Sequence, residues 1–226
     1  MQKISGFIIS IMLLLPLMGV AQDSTRYPIN EMKGIRVGID VSKLILPIIY
    51  KGERVGFEAT ADMHVKGNFF AVAEAGWLNV NLDRTTPDFS YKYKENGMYG
   101  KLGIDYNMLK SRRPNSNDIV YGGVRYAIST FSHQATGITI PGHFWPDESN
   151  GEILKKNLNA HWIELLFGLK AEIFTNFYLG ATFRLKFSIV PPKDDYSKPY
   201  MIPGFGNGNS NFAIGLNYYV SYNIHF

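Results

Sequence analysis

Two places in the chain set an imidazole near a hydroxyl or a carboxylate. Ser132 directly precedes His133, and His161 stands three residues before Glu164. A serine activated by a histidine that a carboxylate orients can attack an ester carbonyl. Adjacent side chains on a strand leave opposite faces, so Ser132 cannot bond His133 if that segment is extended. Hydrolytic or acyl-transfer chemistry then requires Ser129 or Ser132 to meet His161 from a neighbouring strand. Glu58, Asp62 and His64 share one face of an extended segment and are metal ligands by type. A metal site needs ligands that converge from several directions, however, and basic residues elsewhere favour ion pairing for these carboxylates. Gly204, Gly206 and Gly208 form a GxGxG run with no strand-to-helix context, which reads as a flexible loop and not a nucleotide cradle. No catalytic residue, metal or cofactor is assigned from these groupings.

The elements that carry these residues are strands. Period-two alternation runs through Ile35 to Val41, Val55 to Val65, Phe69 to Trp77, Met98 to Met108, Val120 to Ser129, Ile163 to Ile173, Leu179 to Ile189 and Phe212 to Phe226. In the last of these the apolar or aromatic set is Phe212, Ile214, Leu216, Tyr218, Val220, Tyr222, Ile224 and Phe226. Successive side chains on a strand point to opposite faces, so each segment has one greasy face and one polar face.

Which face lies inside decides the solvent. A soluble lipocalin-like barrel places the apolar face inward. Here the apolar face carries no charge and is built from bulky Leu, Ile, Val, Phe and Tyr. The interior of eight strands is only just wide enough for side chains. The polar face has a glycine in each segment, at Gly38, Gly56, Gly76, Gly103, Gly123, Gly168, Gly180 and Gly215. It also balances Asp40, Glu58, Asp62, Glu74, Asp105, Glu164 and Glu172 against Arg36, Lys101, Arg125, Lys170, Arg184 and Lys186. Opposite charges confined at low dielectric must pair, so this balance predicts a plugged lumen crossed by an ion-pair network. The expected fold is all-β: an eight-stranded antiparallel transmembrane barrel of up-and-down topology, closed where the first strand meets the last.

The N-terminus reads as a targeting signal. Lys3 is followed by an apolar run from Phe7 to Val20, with small Gly19 and Ala21 before Gln22. Residues 1–21 are therefore expected to be cleaved near Ala21, residues 22–33 to form a short periplasmic segment, and 34–226 to form the barrel. The chain has no cysteine, which excludes disulfides, thiol nucleophiles and thiolate metal sites. A net charge of +4 dispersed along the chain gives no footprint for nucleic acid.

Connections at Lys66 to Asn68 and Thr175 to Asn176 are tight, whereas Asp83 to Asn96, Phe131 to Ala160 and Pro191 to Ser210 are long. Short turns belong at the periplasm and long loops outside. Leu46 to Glu53, with Pro47, Ile48 and Ile49, prolongs one flanking strand or the other. Within the long loops, His143, Phe144, Trp145, Tyr196, Tyr200 and Phe205 are the candidates for a binding surface, and Asn150 to Asn157 for a short helical turn. Trp77 and Phe131 are expected in an outer aromatic girdle, and Phe69, Phe174, Phe177 and Tyr222 in an inner one.

From Gly34 to Phe226 the chain resembles the small outer-membrane barrels of the OmpA and OmpX type. Its opening GIRVGIDVSKLIL, Gly34 to Leu46, and its terminal SYNIHF, Ser221 to Phe226, are similar to a Bacteroidota family of secreted barrels. The resemblance implies the outer membrane of a Gram-negative bacterium, lipopolysaccharide and lipid as surroundings, and no transferable active site. Tyr218, Tyr222, Ile224 and the terminal Phe226 resemble the signal read by the barrel-assembly machinery. The functional expectation is a structural or surface-interaction role for an unidentified ligand. A lipid-modifying acylhydrolase or acyltransferase is the alternative, and a narrow channel the third reading.

Overall fold

The computed structural model describes residues 33–86, 90–109, 117–139, 151–192 and 198–226. The signal segment and most of the 22–33 segment fall outside them, as do His143, Phe144, Trp145 and Tyr196. Eight antiparallel strands close into a barrel. In chain order they are β1 (Ile35–Asp40), β2 (Arg54–Lys66), β3 (Phe69–Thr85), β4 (Ser90–Asn107), β5 (Ile119–Thr139), β6 (Gly151–Phe174), β7 (Phe177–Val190) and β10 (Phe212–Ile224). A two-stranded hairpin, β8 (Met201–Ile202) and β9 (Gly206–Asn207), stands apart from the wall, and one helix, α1 (Val41–Ile49), follows β1. Each strand pairs with the next, and β1 closes the ring between β10 and β2, with Ile35 opposite Ile224 on one side and Met63 on the other. Closure is what hydrocarbon demands, since an open edge leaves backbone groups unpaired where no water can reach them.

The greasy faces point out. Leu102, Ile104, Val124, Phe167, Leu169, Leu216 and Ile224 are each half or more exposed, while Arg36, Glu58, Lys101, Glu164 and Arg184 are buried within. An apolar surface that encircles the barrel is unsuited to water and matches a lipid belt. The rings of Phe69 and Tyr106 meet at a tilt with centroids 5.1 Å apart, and those of Phe174 and Phe177 at 6.3 Å, at the end with tight turns, as the inner girdle expects. Among the described residues no helix is long and apolar enough to cross a membrane.

Four expectations are corrected. First, the chain after β1 is helical and prolongs neither neighbour. Asp40 caps it, its carboxylate accepting from the Ser42 amide at 2.9 Å and the Ser42 hydroxyl at 2.5 Å, so the helix starts at Val41 and the strand ends one residue before its expected end. Second, the long outer connections are shorter than their sequence suggests. The wall continues to Thr85 in β3 and from Ser90 in β4, and Asn157 and Lys156 pair with Ser132 and His133. Third, of the helical turn expected at Asn150 to Asn157, the described residues from Gly151 onward are strand. Fourth, Phe131 joins no outer girdle: it shares parity with Ser129 and Ala127, faces inward and is 2% exposed. Trp77, of the opposite parity, does face out.

Candidate functional site

The interior is layered, and each layer follows from strand parity. Near the tight-turn end, Arg36 grips Asp62 with two bonds, at 2.5 and 3.2 Å, and Lys170 donates to the same carboxylate. The Arg36 guanidinium lies 4.8 Å from the Tyr178 ring centroid. In the middle layer Lys101 stands among three glutamates, 3.1 Å from Glu58, 3.0 Å from Glu74 and 3.8 Å from Glu164. Arg184 joins Glu74 at 2.8 Å to Glu164 at 2.6 Å, and Arg125 joins Asp105 at 2.8 Å to Glu74 at 3.4 Å. The tyrosines Tyr99 and Tyr219 donate to the two oxygens of Glu58 at 2.6 and 2.9 Å. Charge held this far from water persists only when paired and hydrogen-bonded, and this layer meets both conditions.

Three residues from the sequence's ionic set stand outside these pairs. Asp40 caps α1 and accepts from Asn217 at 2.5 Å. Glu172 accepts from Asn117 at 2.7 Å and from the Asn176 amide at 2.7 Å, tying off a turn. Lys186 turns to backbone, donating to the carbonyls of Gly204 at 2.6 Å and Phe205 at 3.2 Å.

Above the ionic layer the interior becomes apolar, which the polar-face alternation does not anticipate. Tyr99, Ala127, Phe131, Leu158, Ala160 and Trp162 line it, and Ile202 and Phe205 of the hairpin descend into it. Phe205 meets Trp162 edge to face at 5.7 Å, and the Trp162 indole donates to Glu164 at 2.8 Å. Phe205 is therefore buried in the lumen and not displayed on a loop, which removes it from the surface-binding set. A neighbouring cluster of Leu78, Val80, Leu82, Tyr93 and Ala135 receives Leu46 of α1.

The hairpin is latched beyond the lipid belt, where β3 to β6 project past the level of Trp77 and Met98. There the Glu95 carboxylate accepts from the Tyr93 hydroxyl at 2.6 Å and the Met201 amide at 3.2 Å. Tyr93 in turn accepts from the Tyr200 amide at 3.0 Å. Tyr200 keeps the exposure expected of it, with its hydroxyl held by Arg54 at 2.7 Å. Burial pushes the Glu95 carboxyl up to about 7, against the opposing pull of these two bonds. At the neighbouring rim, the hydrogen bond from Arg84 holds the Glu53 carboxyl below its ordinary range. Sequence reading missed Glu95, Tyr93, Tyr99, Trp162 and Tyr219. Parity counted from Tyr218 signals Tyr219, and Glu95 escapes because its segment reads as loop.

The chemical groupings disperse. Ser129 is buried and donates to the Met98 carbonyl at 3.2 Å. Ser132 opposes Asn157, and His133 points inward on the opposite face. His161 lies on the outer face, opposite Ile128, with its Nδ1 2.8 Å from the Tyr126 hydroxyl. Neither serine meets it. His64 turns its Nε2 to the Gly67 carbonyl at 2.6 Å, away from Glu58 and Asp62, whose oxygens are engaged by cations. Among the described residues no three His, Cys, Asp or Glu side chains are placed to hold a metal ion.

Over residues 4–226 the sequence matches the family described as Domain of unknown function (DUF6048). The chain belongs to that family. No curated protein matches it. Among solved structures it is similar to Ail, the attachment invasion locus protein of Yersinia pestis, at 8% identity and a TM-score of 0.40, covering 85% of this chain and 99% of that one. Acinetobacter baumannii CarO is similar at 8% identity and a TM-score of 0.44, over 86% and 100% of the two chains. CarO2 of the same organism is similar at 8% and 0.45, over 85% and 98%.

Proposed function

We propose that the protein resides in the outer membrane of a Gram-negative bacterium, after losing its signal peptide near Ala21, as a non-conducting barrel that acts through its outer surface. The packing of side chains inside the barrel is what supports this reading. Paired charges span the middle layer, and Trp162, Phe205 and Ile202 occupy the layer above. A cylinder packed in both layers offers solutes no path, so the surface left for work is the wall beyond the belt and the connections it carries. Lipopolysaccharide and lipid are its surroundings. Tyr218, Tyr222, Ile224 and Phe226, on the outward row of the last strand, form the patch offered to the barrel-assembly machinery.

The test pairs conductance with capture. In planar bilayers the purified barrel is expected to carry no steady current, and an open-channel current would overturn the closed-lumen reading. Variants lacking 140–150 or 193–197, which contain His143, Phe144, Trp145 and Tyr196, are expected to lose a surface ligand that the intact barrel captures. Capture that survives both deletions would refute recognition through those segments.

A further inference from the structure

The barrel wall has a gap in one leaflet. β1 has six residues, whereas β3 to β6 each have 17 or more. At about 3.3 Å per residue and a tilt near 40°, β1 rises roughly 15 Å, short of a lipid belt about 25 Å tall. Its pairings end at Asp40 with Tyr219 and at Ile39 with Ala59. Beyond that level Phe212 to Tyr218 of β10 pair only with β7, and Arg54 to Glu58 of β2 only with β3. Every second residue on each of these edges aims its backbone groups at the gap.

Helix α1 stands in the gap. Its nine residues rise about 13 Å, which makes up the missing height. Leu44, Ile45, Ile48 and Ile49 face outward, with Ile48 79% exposed, as the missing strand's lipid face would. A helix satisfies its own backbone and adds no ladder to either edge, so this side panel is held by side chains alone. Its far end turns through Lys51 and Gly52, both at positive φ (50° and 82°).

Behind the panel lies the apolar upper lumen, at the depth of the same leaflet. Ile202 and Phe205 of the latched hairpin fill that space, and Leu46 of the panel packs into the neighbouring cluster of Leu78, Val80 and Leu82. We infer that the upper lumen is a binding chamber for one fatty acyl chain, admitted sideways from the leaflet between β2 and β10 when α1 swings out, with Phe205 and Ile202 holding its place in the empty state. Apolar walls at hydrocarbon depth, closed by a part without a hydrogen-bond ladder, suit an acyl tail. The polar groups at its margin are already taken, Trp162 by Glu164, Tyr99 by Glu58, and Lys186 by the carbonyls of Gly204 and Phe205. The proposal rests on the membrane placement and not on the surface-recognition role, which the loop deletions test separately.

Trp162 is a reporter inside the chamber. With Trp77→Phe and Trp145→Phe it becomes the sole tryptophan, and a brominated fatty acid is added to the barrel in lipid nanodiscs. Saturable quenching of Trp162 is expected, stronger in Ile202→Ala/Phe205→Ala. The chain has no cysteine, so Leu46→Cys/Gly56→Cys supplies the only thiols; a Cβ at position 56 would lie 3.8 Å from the Leu46 side chain. Bridging that pair with a short bifunctional thiol reagent is expected to abolish the quenching, and cleaving the bridge to restore it. Quenching that is not saturable, or equal in bridged and unbridged protein, comes from lipid outside the wall and overturns the inference.

Discussion

Arg184 and Glu164 are buried partners on adjacent strands, their charged atoms 2.6 Å apart and their registers two residues offset. The same guanidinium reaches Glu74 at 2.8 Å and the Tyr219 hydroxyl at 2.7 Å, so one side chain ties β7 to β6, β3 and β10. A cross-brace of this kind also links β7 to β3, which share no backbone ladder.

Removing one partner of the brace is therefore expected to cost more than neutralising two together. Arg184→Met leaves Glu164 and Glu74 buried with fewer cations, a loss of about 3–5 kcal/mol for a broken buried pair. Arg184→Met/Glu164→Gln should recover part of it by neutralising one stranded carboxylate. Urea unfolding in lipid vesicles, followed by heat-modifiable gel migration, measures both; equal stability of the two variants would contradict the coupling.

Gly76 is the slot that lets Tyr99 reach Glu58. A Cβ there would lie 2.5 Å from both the Phe57 carbonyl oxygen and the Tyr99 ring. Gly76→Ala is expected to destabilise by about 1–3 kcal/mol through overpacking. Tyr99→Leu in that background should relieve part of the strain, and vesicle unfolding measures the cycle. Additive losses would show that the ring is not what the methyl meets.

Most of the wall was legible because lipid outside and paired charge inside write opposite chemistries on alternate residues. Ile214, Leu216 and Tyr218 announce their face, as do Arg184 and Lys186, and parity then places every neighbour. Legibility failed where parity was not followed far enough or where another rule overrode it. Phe131 looks like a girdle residue by type, yet it shares Ser129's face. Strand continues past Asn96 and Ser132 where polar residues line both faces, so no alternation marks it. Asp40 caps a helix although the apolar residues after it suit a strand equally well. The chemical groupings failed for a plainer reason: proximity in sequence put Ser132 and His133 on opposite sides of one sheet.

The outward face is testable at one residue. Phe167 sits midway along the exposed row of β6 from Ile163 to Ile173 and is 53% exposed. Phe167→Arg is expected to cost about 2–4 kcal/mol at that depth in a bilayer. Asn157→Arg, exposed on the same row past the level of Met98, should change little. Reversible folding into vesicles reads both, and equal costs would refute the belt.

Docking of the hairpin should depend on pH with a definite sign. With the hairpin seated, burial raises the Glu95 carboxyl to about 7, and with it released the group returns towards its ordinary value of 4.5. An acid with a raised value favours the seated state while protonated, so that stabilisation is complete below about 4.5 and is lost as pH rises to about 7. Above that the carboxylate is charged in both states and the dependence flattens. Hydrogen exchange at the Met201 amide, corrected for the intrinsic pH dependence of exchange, is expected to show protection falling across this window. Glu95→Gln, neutral at every pH, should hold protection level, and a fall of the same size in that variant would assign the effect to another group.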